Sequence, residues 1–171
     1  VNGFKKHFSA PIFLDSLQKL IAAQVAFKAR IVAQDERENV ARADGKSRKI
    51  LNFGHTAAHA LEKITDYKRF KHGEAVGYGI LVAAEISKSV ANFVQDELKS
   101  LNDVVRLTGK LPVAADIDPD EVVKAFAFDK KQAGDSLQWI LLEAIGKPVI
   151  LQSTSIPSWV VKSSIEKILG K

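Results

Sequence analysis

The chain has 171 residues, 46% of them hydrophobic, which is enough to bury one substantial core and predicts a single globular domain; no apolar run approaches the roughly 20 residues of a membrane span. There is no cysteine, so disulfides and thiolate metal sites are excluded and any metal must be held by imidazole and carboxylate. The net charge of +5 permits nucleic-acid binding, but the basic residues are scattered among acidic ones rather than gathered in a block, and an anionic small molecule fits the balance as well.

Residues 1–9 form a basic, aromatic lead-in in which His7, beside Lys5 and Lys6, reads as an exposed or capping histidine. From residue 11 to about 34, Leu14, Leu17, Leu20, Ile21, Val25 and Ile31 recur at three- and four-residue steps, predicting one long amphipathic helix. Lys28 falls on or beside that stripe, where it can either lay its stem over the core edge or bind an anion. Asp35, Glu36, Arg37 and Glu38 end the helix as a dense charge cluster, read as a solvated surface, and Asp44-Gly45 reads as a turn. Residues 48–64 carry Ile50, Leu51, Ala57, Ala58, Leu61 and Ile64 at helical spacing, with Gly54 permitting a close approach of backbone or ligand just before the helix begins.

After a polar connection at 65–71 comes the most apolar segment, 72–90, expected to be the buried central helix. Gly73, Gly77 and Gly79 within it imply close helix contact, since glycine is costly in an exposed helix. A further helix spans 96–108 and stops at Gly109; Asp118-Pro119 opens another through Phe128. Asp129-Lys130-Lys131 then leads by way of Gly134 into two short apolar runs, 137–142 and 149–151, predicting a small hairpin around Gly146, and Pro157 starts the last helix.

Three of the four histidines lie within residues 48–74. His55 and His59, four apart, share one helical face, and His72 opens the next element. Two imidazoles a turn apart with a third returning suit a divalent metal or an anionic substrate; a buried histidine pair satisfied by backbone carbonyls has the same spacing. No secretory leader pattern opens the chain, so a soluble, cytoplasmic protein with no membrane partner is expected. The start at Val1 and the lack of any methionine suggest an excised piece of something longer.

The ordered set Lys28-Ala-Arg-Ile-Val32 with Asp35-Glu-Arg-Glu38, Arg48-Lys-Ile-Leu-Asn52-Phe-Gly-His55-Thr, His72-Gly-Glu-Ala-Val and Asp129-Lys130-Lys131 resembles 3-dehydroquinate synthase, specifically its C-terminal helical domain, over roughly residues 14–150. The resemblance implies a mostly α fold, a multi-helix domain with a small β-hairpin near the C-terminus. It implies an NAD- and metal-dependent phosphorus–oxygen lyase of the shikimate pathway, turning 3-deoxy-arabino-heptulosonate 7-phosphate into 3-dehydroquinate and phosphate. The family's N-terminal NAD-binding α/β domain has no counterpart, because no glycine-rich strand-turn-helix stretch occurs here. The isolated chain is therefore expected to fold without turning over.

By the same resemblance, His55 and His72 are ligands of a catalytic divalent metal, zinc or cobalt, and the third ligand is a glutamate near the domain junction that matches no assigned position of this sequence. His59 becomes a substrate-facing group near the phosphate, Arg48 and Asn52 contact the substrate, and Lys28 and Lys130 bind its anionic groups. Nine residues, 39–47, are interposed between the acidic cluster and Arg48. Counting forward from Lys28 makes Glu38 the active-site acid; counting back from Arg48 makes it Asp44, and Glu38 keeps the residue type. Ala58 stands where the family commonly has glycine, a change the packing is expected to absorb. The implied partners are a phosphorylated sugar acid, the NAD-binding domain and a second copy in a homodimer, without nucleic acid. Another sugar-phosphate cyclase of the inosose or valiolone synthase type, or a non-catalytic helical binding domain, is the alternative.

Overall fold

The computed structural model describes residues 11–39, 41–132 and 137–170, with side chains for 14–39, 41–126 and 137–170; His7 and Gly134 lie outside these. The chain divides into two compact units, one of residues 1–40 and 46–48 and one of residues 41–45 and 49–171.

In the first unit the apolar repeat becomes helix α1, Pro11–Gln34. The stripe does specify a helix, yet Leu14, Leu20, Ile21 and Val25 are each more than half exposed and Ile31 is the buried member. Lys28 is exposed as well. The acidic cluster that follows departs from the solvated surface expected of it. Glu36, Arg37 and Glu38 are exposed, but Asp35 is only 7% exposed. Its carboxylate accepts hydrogen bonds from the Asn39 and Arg48 backbone N–H groups, both at 2.8 Å, and from the Ser47 hydroxyl at 3.2 Å. Those donors replace the lost water, which is the condition for burying a carboxylate. One side chain thus closes the turn at both of its ends.

In the second unit, glycine decides where two helices meet. The 3-10 turn Arg48–Asn52, of which residues 49–52 belong to this unit, runs into helix α2, His55–Ile64, whose N-cap Gly54 is left-handed at φ 84°. Helix α3, His72–Val90, crosses α2 at that point: a Cβ on Gly79 would overlap the Gly54 carbonyl oxygen, and one on Gly54 would lie 2.7 Å from the Ile80 nitrogen. The close approach foreseen at Gly54 is therefore made by backbone. Gly77 leaves room for a Leu111 methyl, while nothing lies near Gly73 and no packing reason attaches to it. Ala57, Ala58 and Ala60 are fully buried in α2, so the alanine at position 58 is accommodated.

Helix α3 is the buried centre of this unit, with Leu81, Val82, Ala83, Ala84 and Ile86 at 1% exposure or less. It packs on α2, on α4 (Gln95–Thr108), on strand β1 (Gln138–Ala144) and on α6 (Ser158–Leu169). Strand β2, Lys147–Gln152, pairs antiparallel with β1 in the register Ile140 opposite Ile150, through a turn with Gly146 at φ 82°. Ser87, buried in α3, donates to the Ala83 carbonyl and accepts the Leu142 N–H at 2.9 Å, pinning the hairpin to the central helix. Thr56, in the first turn of α2, donates to the Gln138 carbonyl at 3.1 Å. Helix α5, Pro119–Gln132, starts at the proline as the sequence indicated, with the Asp118 carboxylate accepting the Asp120 N–H. It runs further than expected: Asp129, Lys130 and Lys131 are in its last turn, not a connection, since lysine is a good helix former. The result is the mostly α, multi-helix architecture with a small C-terminal hairpin.

Candidate metal and substrate site

The Gly54–Gly79 crossing sets the start of α2 about two turns into α3, and both helices begin with a histidine. The ring centroids of His55 and His72, 17 positions apart in sequence, are 5.3 Å apart. His59, one turn along α2, completes the cluster at 5.7 Å from His55 and 6.4 Å from His72. The two helices run antiparallel, Gly54 against Gly79 at one end and Glu62 against His72 at the other, and the three rings lie along the seam between those contacts.

The three rings differ in environment. His55 is partly buried, and its Nδ1 is fully buried without a hydrogen-bond partner. Burial is the main cause that lowers its pKa below the usual imidazole value; His59 and His72 push the same way, while the Phe53 and Asn52 carbonyls oppose it without closing a hydrogen bond to Nδ1. The neutral ring is thus favoured, the form that binds a metal. His59 is exposed. His72 is anchored by its Nδ1, 3.0 Å from Oε1 of the buried Glu62.

Glu62 is the site residue that the sequence reading passed over. Its signal was present, since positions 55, 59 and 62 fall at i, i+4 and i+7 on one face of α2; an acidic residue in an amphipathic helix simply reads as exposed.

The donor set fits a divalent cation of the zinc or cobalt kind: imidazoles, one with an orphaned buried nitrogen and one oriented by a carboxylate, in a chain without thiols. Among the described residues, no three or more histidine, aspartate or glutamate side chains are grouped so as to hold a metal ion, so an ion here would need donors beyond the two imidazoles.

The other candidates divide between the two units. Glu38, Arg48 and Lys28 belong to the first. Glu38 takes up a left-handed backbone at φ 49°, rare outside glycine, asparagine and aspartate. Its Oε2 lies 3.8 Å from Nε of Arg48, whose guanidinium also donates to the Glu36 carbonyl at 3.2 Å. Asp44, the other contender for the acid, belongs to the second unit and accepts from Arg42 at 2.8 and 3.3 Å. Asn52 is exposed at the end of the 3-10 turn, two residues before Gly54. Lys130 is in α5, and its side chain is outside the described set.

Three comparisons with known proteins bear on this geometry. Residues 6–132 match the family described as 3-dehydroquinate synthase C-terminal. A 3-dehydroquinate synthase from Leptospira interrogans serogroup Icterohaemorrhagiae serovar copenhageni is 36% identical over 147 residues, covering 85% of this chain and 39% of the relative. The chain thus spans well under half the length of the curated relatives it matches. Among solved structures, a 2-deoxy-scyllo-inosose synthase superposes with a TM-score of 0.56 at 25% identity, over 70% of this chain and 32% of that one. The 2-epi-5-epi-valiolone synthase from Streptomyces hygroscopicus subsp. jinggangensis 5008, with NAD+ and Zn2+ bound, shares the fold over 95% of this chain and 41% of its own at a TM-score of 0.68 and 18% identity. The histidine cluster sits inside the matched segment, and the chain belongs to the 3-dehydroquinate synthase C-terminal family.

Proposed function

We propose that this chain is the metal- and substrate-binding part of a 3-dehydroquinate synthase, which converts 3-deoxy-arabino-heptulosonate 7-phosphate to 3-dehydroquinate and phosphate. The observation that carries the reading is the meeting of His55, His59 and His72 across the seam of two helices in a chain of this family. A dinucleotide-binding α/β domain outside these residues would complete the enzyme, bringing NAD as the reversible hydride acceptor and a glutamate as third metal ligand.

Within these residues His55 and His72 would hold the cation, whose contribution is Lewis-acid polarisation of the substrate oxygens. His59, exposed beside them, is assigned to the phosphate. Arg48, Lys28 and Lys130 supply charge-assisted hydrogen bonds to the carboxylate and phosphate of the substrate, and Asn52 a neutral one. These contacts turn binding energy into orientation. Glu38 is assigned as the active-site acid, with Arg48 as its neighbour at 3.8 Å; Asp44 is engaged by Arg42 two residues away.

The test is a set of histidine variants in the complete enzyme. His55→Ala and His72→Ala are expected to lose bound zinc together with dehydroquinate formation, whereas His59→Ala keeps its zinc and loses turnover. Zinc loss in the His59 variant would mean the ligand roles are misassigned, and dehydroquinate formation by these 171 residues alone would refute the division of labour. The likeness to an inosose synthase favours, as a second reading, a cyclase acting on another sugar phosphate; turnover measured with each sugar phosphate separates the two.

A further inference from the structure

We propose that Glu62 is a positioning residue for His72: its buried carboxylate accepts the Nδ1–H and so leaves Nε2 as the lone-pair atom available to the cation. The inference rests on the reading of His72 as a metal ligand. Glu62 is 6% exposed, in the middle of α2. A carboxylate buried to that degree is costly unless a donor meets it. Among the described residues, the one side chain that hydrogen-bonds to it is His72, at 3.0 Å. Where the carboxylate accepts this bond the proton is on Nδ1, and a neutral ring protonated there has its lone pair on Nε2.

The arrangement is built by local structure. Glu62 shares the face of α2 that carries His55 and His59, seven and three positions away. The chain then reverses through Asp66 and Tyr67, both left-handed at φ 51° and 56°, and Arg69 fixes the return with a two-pronged ion pair to Asp116. His72 is thereby delivered to the carboxylate across only ten residues. Its side chain is otherwise 60% exposed, so without Glu62 the ring would be free to turn and to exchange tautomers. A carboxylate behind a ligating imidazole fixes ring orientation and raises donor strength, and its loss costs about 10- to 100-fold in metal affinity.

Two readouts test this on the 171-residue chain. In the metal-free protein at mildly alkaline pH, nitrogen-resolved NMR of the His72 ring is expected to report the proton on Nδ1, and Glu62→Ala to shift it toward Nε2. Zinc affinity, measured by competition with a chromophoric chelator, is expected to fall about 10- to 100-fold in Glu62→Ala and to recover in Glu62→Gln, whose carboxamide oxygen still accepts. Glu62→Leu fills the same volume without an acceptor and reads the same loss should the alanine variant not fold. A wild-type ring protonated on Nε2, or a tautomer and zinc affinity that stay put in the alanine and leucine variants, would overturn the proposal. If His72→Ala binds zinc as tightly as the wild type, the ligand reading fails, while the tautomer still decides the Glu62–His72 pair.

Discussion

Helices α1 and α3 carry the same kind of apolar repeat and end in opposite circumstances. Along α1, Leu14, Leu20, Ile21 and Val25 are 53 to 68% exposed; along α3, Leu81, Val82, Ala83 and Ile86 are at 1% or less. Periodicity specifies a helix and a face, but burial needs a partner able to approach. Helix α3 has the small residues for that, with Gly79 against Gly54 and Gly77 under Leu111. Helix α1 has no glycine and carries its large apolar side chains as an open stripe. The two units also handle buried charge differently. In the first, Asp35 is hydrogen-bonded by backbone donors that tie a turn; in the second, Glu62 is matched to a site histidine.

The comparison can be broken most severely at the helix crossing. Gly79→Ala drives a methyl into the Gly54 carbonyl and is expected to cost about 3 kcal/mol, the upper end of ordinary overpacking, because backbone rather than a side chain must yield. Urea unfolding checks it, and the His55 and His72 rings should separate. A loss under about 1 kcal/mol would show that the crossing has slack.

A smaller effect, about 2 kcal/mol, is expected of Asp35→Ala, which strands the Asn39 and Arg48 N–H groups. Since those donors belong to the first unit, amide exchange at Asn39 and Arg48 should accelerate while exchange in α3 holds. Equal acceleration at these amides and in α3 would mean that the two units unfold together.

The least is expected on the open stripe. Val25→Lys changes a residue 62% exposed and should move the stability of this chain by no more than about 0.5 kcal/mol. A larger loss would reveal a face that is covered in solution.

Much of the fold was legible in order. The starts at Pro11, His72 and Pro119, the hairpin and the last helix all follow from apolar spacing and from prolines and glycines at the boundaries. Asp35 and Glu62 were not legible as buried groups. A carboxylate in a polar cluster or on an amphipathic helix looks solvated until its donors are known, and those lie 4 to 13 positions away. The length of α5 is not legible because a charged triplet resembles a boundary, although lysine is a good helix former.

By itself the amino-acid sequence determined which segments are helices, that any metal must be held without sulfur, and which three imidazoles come near one another in the chain. Only the tertiary structure decided that they meet in space, that His55 has an orphaned nitrogen and that Glu62 stands behind His72. The physical reason is range. Spacing along a helix fixes a face within one element, whereas the separation of two faces depends on how closely two backbones can approach, and here two glycines set that distance.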